Sequence, residues 1–338
     1  MSTQGFFVFL QSHQQDGITI NSSNNMLLNT VFIVLGIILV LWGADRMTEG
    51  SVALAERFNV SQLTIGLTIV AMGTSLPEFC VSLVSALKGT PDLAVGNIVG
   101  SNIFNALLIV GVAAMVTPIN ITLTTVRKDI PFALVASVLL MMMCFDGKIS
   151  RLNGAILLAM FAIFMVITFK TAGQDPQTQN DDKPAKKPMK LWLCVVFIIA
   201  GLGALILGSE LFVNGATKVA TLLGVSQAVI GLTIVAGGTS LPELATSVVA
   251  ARKGNSGIAI GNVLGSNVFN ILFILGVTGV ISPMHMQGIT MMDLSVMVTA
   301  MIMLWLFSYT KLTLERWEGA VLTATFLIYM GYLLVPLL

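Results

Sequence analysis

Long apolar runs alternate with short polar breaks along almost the whole chain, and the breaks coincide with charge clusters, prolines and glycines. Dividing there gives apolar segments at 27–49, 62–87, 93–116, 129–146 and 152–170, then at 191–217, 226–251, 257–281, 290–309 and 317–337. Each is near the roughly 20 residues that carry an α-helix across about 30 Å of hydrocarbon. The pattern predicts an all-α polytopic membrane protein with ten transmembrane helices. Residues 1–26 read as a short external tail without Lys or Arg, lacking the basic start and longer apolar core of a secretory signal. Residues 171–190 (TAGQDPQTQNDDKPAKKPMK) combine prolines with alternating acid and base, and read as a solvated cytoplasmic linker between two five-span halves.

The halves repeat each other. Adding 165 to a residue number maps Gly43 through Pro118 onto Gly208 through Pro283 without a gap, and about half of the paired positions are identical. Five spans per half is an odd number. Residues 191–338 must therefore enter the membrane in the opposite direction from residues 27–170, which predicts two inverted five-helix repeats.

Composition and charge narrow this picture. Hydrophobic residues make up 56% of the chain, charged ones 10%, and the mean hydropathy is +0.92, far outside the range of soluble domains. A net charge of +1 without a basic, aromatic-interleaved patch gives no sign of nucleic-acid binding. With the N-terminus outside, thirteen of the 17 Lys and Arg fall on the cytoplasmic side, and the positive-inside rule selects that orientation. Cys80, Cys144 and Cys194 are isolated, so neither a disulfide framework nor a thiolate metal site is expected. Solitary His13 and His285 are not expected to bind a ligand, and the methionine-rich stretches read as adaptable apolar filling. The absence of a long regulatory insertion points to a prokaryotic inner membrane.

The candidate chemistry lies in GTSLPE, which occurs at Gly73–Glu78 and again at Gly238–Glu243 inside apolar segments. Pro77 lacks an N–H and crowds the preceding turn, so a helix is expected to break or kink there and free carbonyls. In a membrane such backbone is tolerated only where it is buried in protein or lines a cavity. Ala71, Thr74, Ser75 and Glu78 share one helix face, as do Ala236, Thr239, Ser240 and Glu243. The next segment of each half places Asn97, Ser101 and Asn105, and then Asn262, Ser266 and Asn270, at a spacing of four. Such hydroxyls, amides and glycines commonly serve packing and interhelical hydrogen bonding. A carboxylate in hydrocarbon costs roughly 2.5 to 3.5 kcal/mol and is functional by default. Oxygen donors of this kind suit hard cations such as calcium. Asn97 and Asn262 read as helix caps near the starts of their spans. Asp45, Glu49 and Glu210 read as markers of the water interface.

These motifs closely resemble those of the calcium:cation antiporter superfamily, which includes the sodium/calcium exchangers. GTSLPE with GNIVGSNIFN, and GTSLPE with GNVLGSNVFN, look like its two alpha-repeats, and the resemblance covers the chain beyond residue 25. It implies an antiporter that exchanges calcium for sodium by alternating access, with no cofactor beyond the transported ions and no obligate protein partner. By motif position it implies calcium at Glu78, Glu243 and the backbone oxygens of Thr74 and Thr239. Sodium would fall at Ser75, Ser101, Ser240, Ser266 and the carbonyls of Ala71 and Ala236, with Glu78 and Glu243 shared. Asn105 and Asn270 would line a middle site, and the first and sixth spans would slide against the rest. Many members carry Asp at one of these last two positions, whereas here both are Asn. Two carboxylates rather than three weaken the case for potassium co-transport and leave calcium/proton exchange open. A channel is disfavoured because filters usually come from rings of subunits. An enzyme is disfavoured because no HExxH, GxSxG or paired aspartates occur in the spans.

Overall fold

Apolar runs close their own backbone hydrogen bonds, as hydrocarbon demands, and the computed structural model is helical almost throughout. It describes residues 22–172, 189–225, 234, 236–286 and 288–334. In chain order the helices begin with α1 (Ser22–Phe58), α2 (Gln62–Thr74), α3 (Leu76–Leu87), α4 (Pro91–Val116), α5 (Thr125–Asp146) and α6 (Arg151–Thr171). They continue with α7 (Leu191–Leu222), α8 (Ala236–Thr239), α9 (Leu241–Arg252), α10 (Ser256–Ile281), α11 (Met291–Tyr309) and α12 (Arg316–Leu334). Among the described residues eight helices are long and apolar enough to cross a membrane, and the bent pair α2–α3 would make a ninth. This is an all-helical polytopic membrane fold. Part of the expected seventh span, 226–233 and 235, lies outside the described residues, as do 1–21 of the tail and 173–188 of the linker.

Two helices overrun the segments drawn from hydropathy. α1 starts at Ser22, inside the expected tail, and continues past 49 to Phe58, while α7 continues past 217 to Leu222. Charges that suggested an end to the first span are paired in place: Arg46 bridges Asp45 and Glu49, each at 2.9 Å. α1 stops instead at Asn59, whose φ of 52° is left-handed, with Val60 N–H donating to Ala55 O at 3.1 Å. Gly224, 165 residues further on, has φ 82° and ends α7 in the same way, Val225 N–H donating to Ala220 O at 3.0 Å.

Packing follows the repeat. α1 and α7 lie antiparallel with glycines at the seam, so close that a Cβ on Gly43 would stand 2.6 Å from Gly201 O and one on Gly208 2.8 Å from Gly36 O. α6 packs on α10, where a Cβ on Gly154 would stand 2.7 Å from Gly276 O. α12 packs on α4, where a Cβ on Gly319 would stand 2.5 Å from Gly111 O. Two short antiparallel ladders join the same partners. β1 (Ile119–Asn120) pairs with β4 (Thr313–Leu314), and β2 (Lys148–Ile149) with β3 (Met284–His285). The 165-residue offset converts each of these contacts into the other. The spanning parts of α4 and α10 are 72% and 78% buried, against 22% for α6 and α12, so α4 and α10 form the centre of the bundle and α6 and α12 its rim.

Candidate cation site

Both GTSLPE segments sit where a helix is interrupted beside that centre, at Ser75 and at Ser240. α2 and α3 meet at Ser75 with a 48° bend. Pro77 lies in the first turn of α3, and Pro242 in the first turn of α9, where a missing N–H leaves no hydrogen bond unmade. The break therefore comes just before the proline. It is a bend rather than an unwound loop, since Ser75 N–H still donates to Ala71 O at 3.0 Å and Phe79 N–H to Ser75 O at 3.1 Å. Its effect is to point the first turns of α3 and α9, with their glutamates, into the bundle.

The two segments meet. Ser75 Oγ donates to Glu243 Oε1 at 3.0 Å, and Ser240 Oγ donates to Glu78 Oε1 at 3.2 Å, so each motif's serine bonds the other motif's carboxylate. Glu78 and Glu243 are 0% and 1% exposed, and neither has an ion-pair partner among the described residues. Their second oxygens, Oε2 in both, are buried without a hydrogen-bond partner among the described residues. So are Oδ1 of Asn105 and both amide atoms of Asn270. Leaving such atoms unmade costs about 1–3 kcal/mol each, more for a charged group. Unpartnered oxygens on the two carboxylates and on Asn105 and Asn270 are what a cation would satisfy.

The other candidates take definite places. Ala71, Thr74, Ser101 and Ser266 are buried, Ser101 and Ser266 one turn ahead of Asn105 and Asn270 on α4 and α10. Thr239 is half-buried at the end of α8, which Ala236 begins. Asn105 and Asn270 stand in π-helical turns, Phe104–Ile109 and Phe269–Ile274, a widening of the helix often found at functional sites and invisible to hydropathy. Asn105 Nδ2 donates to Asn267 Oδ1 at 3.1 Å. Among the described residues no group of three or more His, Cys, Asp or Glu could hold a metal, and the candidate donors are two carboxylates with hydroxyls, amides and carbonyls. That is a hard-cation set.

One expectation is corrected. Asn97 and Asn262 do not cap their helices, which begin at Pro91 and Ser256, because the polar TPD and NSG steps already admit the first turn. Both lie mid-helix and reach across. Asn97 Nδ2 donates to Glu78 O at 3.2 Å and Ser82 Oγ at 2.9 Å, while Asn262 Nδ2 donates to Glu243 O at 3.2 Å and Ser247 Oγ at 2.9 Å. The signal was in the repeat: Ser82 and Ser247 match, although the three preceding pairs, Phe79 with Leu244, Cys80 with Ala245 and Val81 with Thr246, all differ. Asp45 and Glu49 pair with Arg46 about a third exposed, and Glu210 is exposed.

A helical membrane bundle with two buried carboxylates, each bonded to the serine of the other motif, has the makings of a cation carrier. Comparison with known proteins gives the family. A family model described as sodium/calcium exchanger protein matches residues 28–170 and again 193–335, two stretches offset by the same 165 residues. CaxA of Alkalimonas amylolytica, an antiporter by provisional designation, is 39% identical, covering 91% of this chain and 99% of its own. Inner membrane protein YrbG of Escherichia coli (strain K12) is 36% identical over 93% and 99%. The solved structure of the sodium-calcium exchanger NCX_Mj, soaked with zero Na+ and Ca2+, superposes with a TM-score of 0.79 at 33% identity over 91% and 99%. The chain belongs to the sodium/calcium exchanger family. It is a transporter rather than an enzyme, and family membership supports cation antiport as its activity.

Proposed function

We propose that this chain exchanges calcium for sodium by alternating access, the two ions competing for Glu78 and Glu243. The observation that carries the reading is the reciprocal serine bonding of these two buried carboxylates. A site of charge −2 neutralises one calcium or two monovalent ions, so either load makes the conformational change electrostatically feasible and an empty site does not. In this reading calcium also takes the backbone oxygens of Thr74 and Thr239. Sodium takes Ser75, Ser101, Ser240, Ser266 and the carbonyls of Ala71 and Ala236, and Asn105 and Asn270 line the middle. Residues 27–170 and 191–338 act as inverted five-helix repeats joined by a cytoplasmic linker, ten spans in all. Antiparallel α1 and α7, the crossed ladders and the matching 165-residue offsets support that arrangement. The charge asymmetry supports an external N-terminus, and similarity to an inner membrane protein supports a prokaryotic inner membrane. Similarity to NCX_Mj, a sodium-calcium exchanger, supports the ion pair.

The test is calcium-45 uptake into proteoliposomes under imposed sodium, potassium or pH gradients. Uptake driven by an outward sodium gradient is expected, and Glu78→Gln or Glu243→Gln is expected to lower it at least about a hundredfold, as for loss of a central charged ligand. Asn at both 105 and 270 favours a second reading, calcium/proton exchange, because a protonated glutamate would complete so small a charge set. Uptake driven by a pH gradient alone selects it. Retained transport in either Gln variant refutes the site.

A further inference from the structure

Asn97 and Asn262 lie outside the donor set proposed above, yet each is tied to it through the backbone of a glutamate. A carboxamide has two N–H groups, and in both residues the Nδ2 atom bonds the glutamate carbonyl and a serine hydroxyl one turn later. Ser82 Oγ passes the chain on, donating to Ala94 O at 3.1 Å. The first turn of α3 is thus fastened to α4, and that of α9 to α10. The helix that presents a carboxylate is thereby locked to the helix that presents an amide, Glu78 to the helix of Asn105 and Glu243 to that of Asn270.

Asn262 also reaches the other half of the molecule. Asn262 Oδ1 accepts from Thr74 Oγ1 at 3.1 Å, so a single amide joins the Glu243 turn to the bend in the first half. Asn262 is fully buried, whereas Asn97 is half-buried. Calcium takes 6–8 oxygens at about 2.3–2.6 Å and loses affinity when one drifts, and residues that hold metal ligands from behind typically set affinity by about 10- to 100-fold.

We propose that Asn97 and Asn262 are positioning residues that set calcium affinity by fixing where Glu78 and Glu243 stand, and that Asn262, through Thr74, also couples the two halves of the site. The inference rests on the glutamates being ligands. It predicts a particular split in the kinetics. Removing the clamp lets the carboxylates drift while leaving them present, so calcium binds more weakly and the maximal rate is kept.

The experiment is calcium-45 exchange in proteoliposomes as a function of calcium, with Glu243→Gln as control. Asn262→Ala is expected to raise the calcium KM about tenfold and Asn97→Ala about threefold, with maximal rates within about threefold of wild type. The stabilisation that calcium confers against thermal unfolding in detergent should shift to higher calcium by the same factors, a displacement that a merely structural residue would not produce. Wild-type KM in both Asn variants beside an inactive Glu243→Gln overturns the inference alone, whereas an active Glu243→Gln overturns the site itself. Should Asn262→Ala not fold, Asn97→Ala and Ser247→Ala carry the test. A KM raised at least about twofold in either supports the clamp, and unchanged KM in both overturns it.

Discussion

Gly100 on α4 and Gly265 on α10, with the asparagines one turn ahead of them, are the same residues in different surroundings. On α10, a Cβ on Gly265 would stand 2.5 Å from Leu67 O and 2.6 Å from the Ala71 Cβ, so α2 lies directly on it, and Asn262 and Ser266 are 0% exposed. On α4, 165 residues earlier, Gly100 is exposed and Asn97 half-buried. The difference is between identical residues, Gly100 with Gly265 and Asn97 with Asn262. Under alternating access it is reversed when the two halves exchange roles, which requires both glycine faces to close in turn.

The largest effect that could break this comparison is at Gly265. Gly265→Val drives side-chain atoms into the backbone of α2 and should cost roughly 3 kcal/mol of stability, seen as earlier thermal unfolding in detergent, because overpacking a closed interface is poorly relieved. Gly100→Val should unfold like the wild type. Its turnover should nonetheless fall about tenfold, because the state in which α4 closes is disfavoured by about 1.4 kcal/mol. Full turnover in Gly100→Val would mean that its face never closes.

A smaller test concerns the two ends of the helix pair α1 and α7. Lys253 forms an ion pair with Asp45, which also bonds Arg46 at 2.9 Å, and Arg46 stacks over Phe197 of α7 at 5.4 Å from the ring centroid. At the 165-offset positions, Lys88 and Glu210 are exposed and share no ion pair. Partly exposed pairs contribute about 0–1 kcal/mol. Lys253→Ala should therefore change the maximal exchange rate about twofold at low salt and less at high salt, and Lys88→Ala should change it less than Lys253→Ala. Equal effects at the two ends would erase the distinction between them.

Much of this was legible in the chain before any coordinates. Hydropathy marks spans because each must close its own hydrogen bonds, and GTSLPE stands out because a carboxylate beside a proline in hydrocarbon needs a reason. What was missed depends on contacts between distant segments. The end of α1 could not be placed because the Asp45, Arg46 and Glu49 charges pair along one helix and allow it to continue. Asn97 and Asn262 looked like caps because spacing along a helix says nothing about a carbonyl 19 residues back on another. The π-helical turns at Asn105 and Asn270 leave no periodicity of their own. The crossing of α6 to α10 and α12 to α4 has no local signal at all.

That crossing bears on how the molecule is made. Gly154 finds its seat against Gly276, and Ile119 its ladder partner at Leu314, so contacts that complete the early helices are supplied by chain synthesised more than a hundred residues later. The N-terminal half alone has the fastening of α3 to α4 but lacks the partner that covers the Gly154 face of α6. Such delayed closure raises the loop-closure entropy of folding and favours slow assembly. It also means that two copies of one half, inserted in opposite directions, would offer each other the surfaces that each one lacks.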